Sequence, residues 1–160
     1  MATVLHKPEK GKIFRRQLVK EMSIIGVESV GIVALLSVFM GAVMCLQTAH
    51  QIGGWIPIYT IGFTVRQTMI LEFSPTLIPV ILAGKIGSNI ASQLGTMRVT
   101  EQIDALEIMG VNSAGFLVLP KIVAGFICIP VLVIMSMALG VSSGAVIALI
   151  TGVSSMADFE

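Results

Sequence analysis

Four charged residues lie close together in a chain that otherwise carries few charges. Arg98, Glu101, Asp104 and Glu107 fall within ten positions, inside the stretch LGTMRVTEQIDALEIMGVN. The three carboxylates are spaced by three residues, which places them on one side of a helix. Such an acidic face is suited to docking against a basic surface of a soluble partner. An ordinary loop helix at a membrane surface has the same periodicity and is the alternative.

The same stretch carries signals for the start and the end of a short helix. Thr100 is a candidate N-cap, with Glu101 and Gln102 favourably placed against the positive helix end. Gly110 is a suitable C-terminal stop. An apolar side is formed by three residues: Val99, Ile103 and Leu106. The pattern predicts an amphipathic helix within residues 99–110, placed to transmit force from a partner into the membrane segments on either side.

Three further ionisable residues, Arg66, Glu72 and Lys85, interrupt the apolar part of the chain. A charge inside a membrane span is costly and usually faces a cavity or a partner. Arg66 and Lys85 have long side chains that can also extend to opposite membrane interfaces, so both interpretations stay open for them. Glu72 is shorter and lies close to Pro75, which makes it the best candidate for a residue lining a substrate pathway, with Arg66 as the second.

The sequence contains no motif for catalysis or metal binding. The segment A-G-K-I around Lys85 lacks the upstream glycine and the following Ser/Thr that a phosphate-binding loop requires. No H-E-x-x-H occurs, and His6 and His50 have no plausible ligand or triad set. Cys45 and Cys128 fall in apolar runs and are expected to be small buried hydrophobic residues without a disulfide. We therefore expect a chain that is not an enzyme by itself, binds no cofactor or metal, and takes its energy from another polypeptide.

The composition indicates which elements position these residues. Of 160 residues, 55% are hydrophobic and 12% are charged, against roughly 25% charged in soluble domains. Because the apolar runs are long and continuous, we expect an all-α polytopic membrane protein, with spans at 23–45, 60–95 and 116–150. The second span is too long for one straight crossing of a ~30 Å hydrocarbon core at ~1.5 Å per residue. Pro75 and Pro79 predict that it is kinked or broken.

A basic segment, residues 1–22, precedes the first span. It contains six of the ten basic residues: Lys7, Lys10, Lys12, Arg15, Arg16 and Lys20. Residues 12–22 have the pattern of an amphipathic helix lying in the membrane interface; a solvated basic tail is the alternative, and nucleic-acid binding is a weaker one. Because basic residues favour the cytoplasmic side, the N-terminus and residues 96–115 are predicted inside, and the loop at 46–58 outside.

Small residues form a stripe along the second span: Ala83, Gly84, Gly87, Ala91 and Gly95. Such faces let helix backbones approach closely in lipid, so we expect this stripe to pack against another helix. Gly140 and Gly144 form a similar pair in the third span. These signals are common in membrane proteins and identify no function.

Residues 72–121 contain several motifs in a fixed order. An E-[FL]-x-P opening is followed by A-G-[RK]-x-G, L-G-T-M-x-V-T-E-Q-I-D-A-L, M-G-V and a Pro-basic pair. This region, about a third of the chain, resembles the signature of the MlaE/YrbE family of ABC transporter permeases. Two positions depart from that signature. Lys85 stands where many members have Arg, which loses the planar fork of donors, and Gln93 stands where many have Glu.

The resemblance implies a permease subunit that moves phospholipid or related lipids between bacterial membranes. In that family the E-Q-I-D-A-L segment is the coupling helix that docks on the ATPase. That role passes here to six residues: Glu101, Gln102, Ile103, Asp104, Ala105 and Leu106. The family's acidic residue lining the lipid pathway corresponds to Glu72.

The resemblance also implies the assembly. The expected partners are an ATPase that uses the ATP, an MCE-domain lipid-binding protein, membrane lipids and a second permease copy, in the bacterial inner membrane. Family members carry further spans, so residues 1–160 are expected to be one permease domain that is truncated or partial. An ion-coupled transporter or channel using Arg66 and Glu72, or a structural membrane scaffold, remains the alternative.

Overall fold

Three long helical stretches make up most of the described part of the protein. The structure is a computed structural model, and it describes residues 11–51, 59–110 and 113–151. The stretches that are long and apolar enough to cross a membrane are Phe14–Gln51, Thr60–Val99 and Leu117–Thr151. The expectation of an all-α polytopic membrane protein is therefore confirmed.

The first stretch consists of two α-helices joined without a break. Helix α1 (Gly11–Met22) carries the end of the basic segment, and helix α2 (Glu28–Gln51) carries most of the first span. Between them, Ser23–Val27 form a π-helical segment, in which each backbone hydrogen bond reaches one residue further than in an α-helix. Helical bonding thus continues from the basic segment into the span, and the junction is marked only by this change of winding.

The second stretch has the same construction. Helix α3 (Tyr59–Thr68) leads into a second π-helical segment, Met69–Phe73, and then into helix α4 (Ser74–Val99). Pro75 lacks an N–H, and its ring crowds the carbonyl one turn earlier, which lies in this π-helical segment. The wider winding absorbs that conflict. The predicted interruption therefore lies just before Pro75, while Pro79 is accommodated inside α4.

A short helix separates the last two stretches. Helix α5 (Gln102–Ile108) is shorter than the predicted 99–110, and helix α6 (Ser113–Thr151) follows. Pro120 and Pro130 both lie inside α6. At ~1.5 Å per residue, its 39 residues extend to about 58 Å, well beyond the ~30 Å hydrocarbon core. Part of α6 must therefore lie outside the hydrocarbon, or the helix must tilt.

The contacts divide the chain into two compact units, and every long stretch contributes to both. The first unit combines the residues up to Ser29 with Ile81–Pro130, and the second combines Val30–Val80 with the residues from Val131 onward. The core of the first unit contains Ile25, Ala124 and Cys128. The core of the second contains Cys45, Ile61, Val65, Met69 and Ala148. Both cysteines are buried and free, as expected.

The apolar side of α1 packs on the core of the first unit. Leu18 and Met22 contact that core, whereas Arg15, Arg16 and Lys20 are exposed. The predicted amphipathic pattern is therefore present. Its apolar side is covered in part by the protein's own core, although the sequence indicated only a membrane interface.

In the second unit, α2 and α6 approach closely where Gly41 faces Gly140. A Cβ at Gly41 would collide with the carbonyl oxygen of Gly140 and with Ser143 Oγ. A Cβ at Gly140 would collide with the terminal methyl of Met69. Gly140, one member of the predicted small-residue pair, lies at this crossing, but only the flexible end of the Met69 side chain would have to move to admit a Cβ there.

Candidate functional site

Helix α5 is joined to α4 by a tight turn with one strained residue. Glu101, which directly precedes α5, has a left-handed φ of 58°, a conformation that is unfavourable for a residue with a Cβ. The prediction that Thr100 caps α5 was wrong, because Thr100 Oγ1 donates to the carbonyl of Thr96 at 2.8 Å and so closes α4 instead. Gly110, with φ 74°, ends the helical turn as predicted.

An ion pair connects the last turn of α4 to α5. Arg98 Nη1 contacts Asp104 Oδ1, and the two side chains are 64% and 46% exposed. Exposed pairs of this kind contribute only ~0–1 kcal/mol, so the pair links the end of α4 to α5 but adds little to stability. The carboxylate of Asp104, predicted to face a partner, thus has a partner inside the chain.

The exposed surface around α5 is apolar as well as acidic. Val99, Ile108 and Met109 are 84%, 87% and 68% exposed, and the carboxylate residues Glu101 and Glu107 are exposed beside them along the chain. We call these five residues the docking surface. Large apolar side chains that a chain leaves exposed are found at sites of protein or membrane contact.

The predicted coupling residues are distributed unevenly over this surface. Glu101, Gln102 and Ala105 are exposed, whereas Ile103, Asp104 and Leu106 are half-buried. The two predicted apolar anchors, Ile103 and Leu106, therefore present less area to a partner than Ile108 and Met109, which helical periodicity alone did not select. The available signal was the pair of consecutive apolar residues directly before the stop at Gly110.

Glu72 lies in the second π-helical segment, and its side chain is exposed. Ser74, two positions later, is only 2% exposed, and its hydroxyl has no hydrogen-bond partner among the described residues. Both belong to the second unit, where Ser74 lines a small cavity together with Ser37, Met40, Met69 and Phe73. Glu72 does not line this cavity, but it directly precedes Phe73, which does.

Arg66 lies on α3, one helical element before Glu72. Its guanidinium carbon is 5.8 Å from the centroid of the Phe63 ring, within the range of a cation–π interaction, and the residue is half-buried. Arg66 and Glu72 therefore occupy the same unit and the same span.

Lys85 connects two spans within the first unit. Its ammonium donates to the carbonyl of Glu28 at 2.7 Å and to Ser29 Oγ at 3.1 Å. These bonds hold the side chain against the first span, so the structure places Lys85 in a helix-bridging position.

The stripe of small residues has no cover among the described residues of this chain. Its five members, Ala83, Gly84, Gly87, Ala91 and Gly95, are all exposed. A Cβ added at Gly84, Gly87 or Gly95 would meet nothing within 4 Å. Close packing through this face stays a prediction, and its partner must be sought outside the described residues.

Comparison with known proteins identifies relatives over most of the chain. Residues 18–160 match the family described as Permease MlaE. A protein of Synechocystis sp. named as a probable ABC transporter permease is 35% identical over 138 residues, which cover 86% of this chain and 52% of that protein. A probable ABC transporter permease of Rickettsia bellii is 36% identical over 127 residues, or 79% of this chain and 49% of the relative.

A plant relative is also similar. The chloroplastic protein TRIGALACTOSYLDIACYLGLYCEROL 1 of Arabidopsis thaliana is 30% identical over 138 residues, which cover 86% of this chain and 39% of that protein. The chain thus spans about half the length, or less, of these relatives.

Proposed function

This chain belongs to the MlaE family of ABC transporter permeases, and we propose that it moves phospholipid or a related lipid between bacterial membranes. The observation that carries the proposal is Glu72, an exposed carboxylate at a π-helical interruption of a membrane span. The cavity that Phe73 and Ser74 line in the same unit is small and largely apolar. The name of the plant relative is that of a galactolipid, which agrees with a lipid substrate.

In this proposal, a separate ATPase docks on α5 and supplies the energy. The docking surface offers both requirements of such a contact, exposed apolar anchors and carboxylates able to complement a basic rim. The ion pair between Arg98 and Asp104 pre-orients α5, which lowers the ordering cost of binding. ATP is bound and hydrolysed by that partner, and this chain contributes positioning and a lipid path.

The remaining parts of the assembly rest on the family resemblance. We propose a second permease copy, an MCE-domain lipid-binding protein as the lipid acceptor or donor, and a location in the bacterial inner membrane with a cytoplasmic N-terminus. The uncovered small-residue face of α4 is suited to close contact with a helix of the second copy.

Co-purification tests this assignment against the other functional classes. The permease, isolated with its membrane partners, should retain a stoichiometric ATPase and tightly bound phospholipid. A permease that never retains an ATPase contradicts the proposal and favours a membrane scaffold. Ion flux through the reconstituted protein in the absence of ATP contradicts it in favour of a channel or an ion-coupled transporter.

The role of Glu72 is tested by its neutral isostere. Glu72→Gln should leave the complex assembled but reduce ATP-driven lipid movement at least tenfold, equivalent to ~1.4 kcal/mol in the barrier, because the polar end of the lipid loses its charged contact. Glu28→Gln is the matched control. Its carboxylate is also exposed in a span, and the bond to Lys85 uses only its backbone carbonyl. Lipid movement at the wild-type rate in Glu72→Gln would remove Glu72 from the pathway.

The proposed orientation predicts the labelling of single cysteines. In a background with Cys45→Ala and Cys128→Ala, a cysteine at position 102 should react with a membrane-impermeant maleimide only from the cytoplasmic side. A cysteine at position 50 should react only from the opposite side, because one span lies between the two exposed positions. Reaction of both from the same side contradicts this arrangement of the spans.

A further inference from the structure

Lys121 on α6 is a buried cation held by residues from two other helices. Its side chain is 6% exposed, and its ammonium contacts Glu21 Oε1 on α1 at 2.7 Å. The same ammonium donates to Gln93 Oε1 on α4, and Gln93 Nε2 donates in turn to Asn89 Oδ1 at 3.0 Å. We call Lys121, Glu21 and Gln93 the lysine clasp, because one ammonium joins three helices of the first unit.

The charge on Glu21 makes α1 a necessary part of this clasp. A buried ion costs several kcal/mol in desolvation, and only a well-placed counter-charge with further hydrogen bonds offsets that cost. Gln93 supplies a neutral acceptor, so the counter-charge comes from Glu21, which is itself only 16% exposed. If α1 moved away from α4 and α6, Lys121 would be left buried without its carboxylate.

A second lysine attaches the same part of the first span. Lys85 on α4 bonds to the carbonyl of Glu28 and to Ser29 Oγ, directly after the π-helical segment Ser23–Val27, whereas Glu21 lies just before it. The π-helical segment therefore lies between two points fixed by lysines. A π-helical turn is a place where a helix can change its winding by one residue.

The clasp also lies close along the chain to the docking helix. Gln93 is on the last turns of α4 before α5, and Lys121 is on the first turns of α6 after it. All of these residues belong to the first unit. A displacement of α5 that moves the ends of α4 and α6 must therefore carry α1 with them, or else break the pairing of a buried charge.

We propose that Glu21 and Lys121 are positioning residues that transmit movement of the docking helix to α1 and to the π-helical start of the first span. This inference rests on the proposed function, since it concerns how ATPase docking reaches the membrane segments. Glu21 and Lys121 act through the position of α1 and touch neither nucleotide nor lipid in this role.

Three variants separate transmission from simple neutralisation of a buried charge. Glu21→Gln removes the carboxylate. Glu21→Gln combined with Gln93→Glu returns a carboxylate to Lys121 but places it on α4, so α1 is no longer held by charge. Glu21→Lys combined with Lys121→Glu exchanges the charges and keeps α1 in the clasp. Glu28→Gln serves as the control, because it loses a carboxylate near the same π-helical segment but outside the clasp.

The expected results differ among these variants, measured in the complete complex with its ATPase. Glu21→Gln should reduce lipid-stimulated ATP hydrolysis at least fivefold while ATPase binding persists. The charge exchange should restore stimulation to within twofold of wild type. Glu21→Gln combined with Gln93→Glu should restore the protein yield but not the stimulation of ATP hydrolysis by lipid. If the relocated carboxylate and the charge exchange restored lipid-stimulated ATP hydrolysis equally, the proposal would be overturned. Glu21 would then only neutralise the buried charge of Lys121.

Hydrogen exchange of the α1 amides gives a readout that does not depend on the ATPase. Exchange should be at least tenfold faster in Glu21→Gln and in the relocated variant than in wild type, and near wild type after charge exchange. Unchanged exchange in Glu21→Gln would overturn the clasp whatever the ATPase assays give. A wild-type protein that binds no ATPase would instead overturn the proposed function.

Discussion

Replacing Ile108 and Met109 with Asp should abolish ATPase binding while leaving membrane insertion intact. Both side chains are largely exposed, at 87% and 68%, so the substitutions add no strain to this chain. In a docked complex, each loses an apolar anchor, for which we take the hot-spot value of ~2 kcal/mol, and buries a carboxylate without a partner. A total of at least ~4 kcal/mol corresponds to about a thousandfold loss of affinity.

The measurement is the affinity of the purified ATPase for the permease in lipid nanodiscs. Ile108→Leu with Met109→Leu is the control, because it keeps the apolar area and should keep binding within a few-fold of wild type. Affinity unchanged in the double Asp variant would show that the docking surface is not where the ATPase binds.

The acidic residues near the docking surface must be tested with other substitutions, because Asp104 is already paired with Arg98. Glu101→Lys should weaken binding by placing like charges against a basic rim. Exchanging the pair, with Arg98→Asp and Asp104→Arg, distinguishes two roles for Asp104. Binding retained after the exchange means that Asp104 orients α5 through Arg98, and binding lost means that its charge faces the ATPase.

Gly41→Ala should destabilise the fold, and by more than the same substitution at Gly31, the other glycine of α2. The added Cβ collides with the backbone oxygen of Gly140 and with Ser143 Oγ, and a backbone obstacle cannot rotate away. Overpacking typically costs ~1–3 kcal/mol, and occasionally more, so α2 and α6 must separate. We expect the midpoint of thermal unfolding to fall by roughly 2–12 °C, at ~2–4 °C for each kcal/mol in a chain of this size.

Gly31→Ala on the same helix is the matched control. Gly31 is exposed, and a Cβ there would meet nothing within 4 Å, so the higher helix propensity of Ala should be neutral or stabilise by up to ~1 kcal/mol. Equal unfolding midpoints for the two variants would contradict the close crossing of α2 and α6 at Gly41.

The helical spans follow from the sequence because continuous apolar runs have few alternatives in a membrane. The irregularity near Pro75 was also predictable, since a proline must disturb the preceding turn. That this irregularity takes the form of the π-helical segment Met69–Phe73 was not predictable. Sequence periodicity does not indicate how the backbone relieves the clash with the proline ring. The similar segment at Ser23–Val27 contains no proline at all.

Local patterns were least reliable at the ends of helices. Thr100 has the residue type of an N-cap, but a threonine hydroxyl also bonds readily to the carbonyl four residues earlier, and this second option prevailed. The lysine clasp could not be predicted from the sequence, for a different reason. Glu21 and Gln93 lie 100 and 28 positions from Lys121, and only the packing of three helices brings them together.

The central claim, that docking on α5 lets ATP hydrolysis drive lipid movement, is tested most directly by reconstitution. The complete complex is placed in proteoliposomes with a fluorescent phospholipid, and transfer of the phospholipid to an acceptor is followed with and without ATP. We predict that transfer of the phospholipid requires ATP. In the permease with Ile108→Asp and Met109→Asp, the transfer rate should fall to the rate measured without ATP. Transfer that proceeds equally without ATP, or that persists with this variant, would contradict the claim.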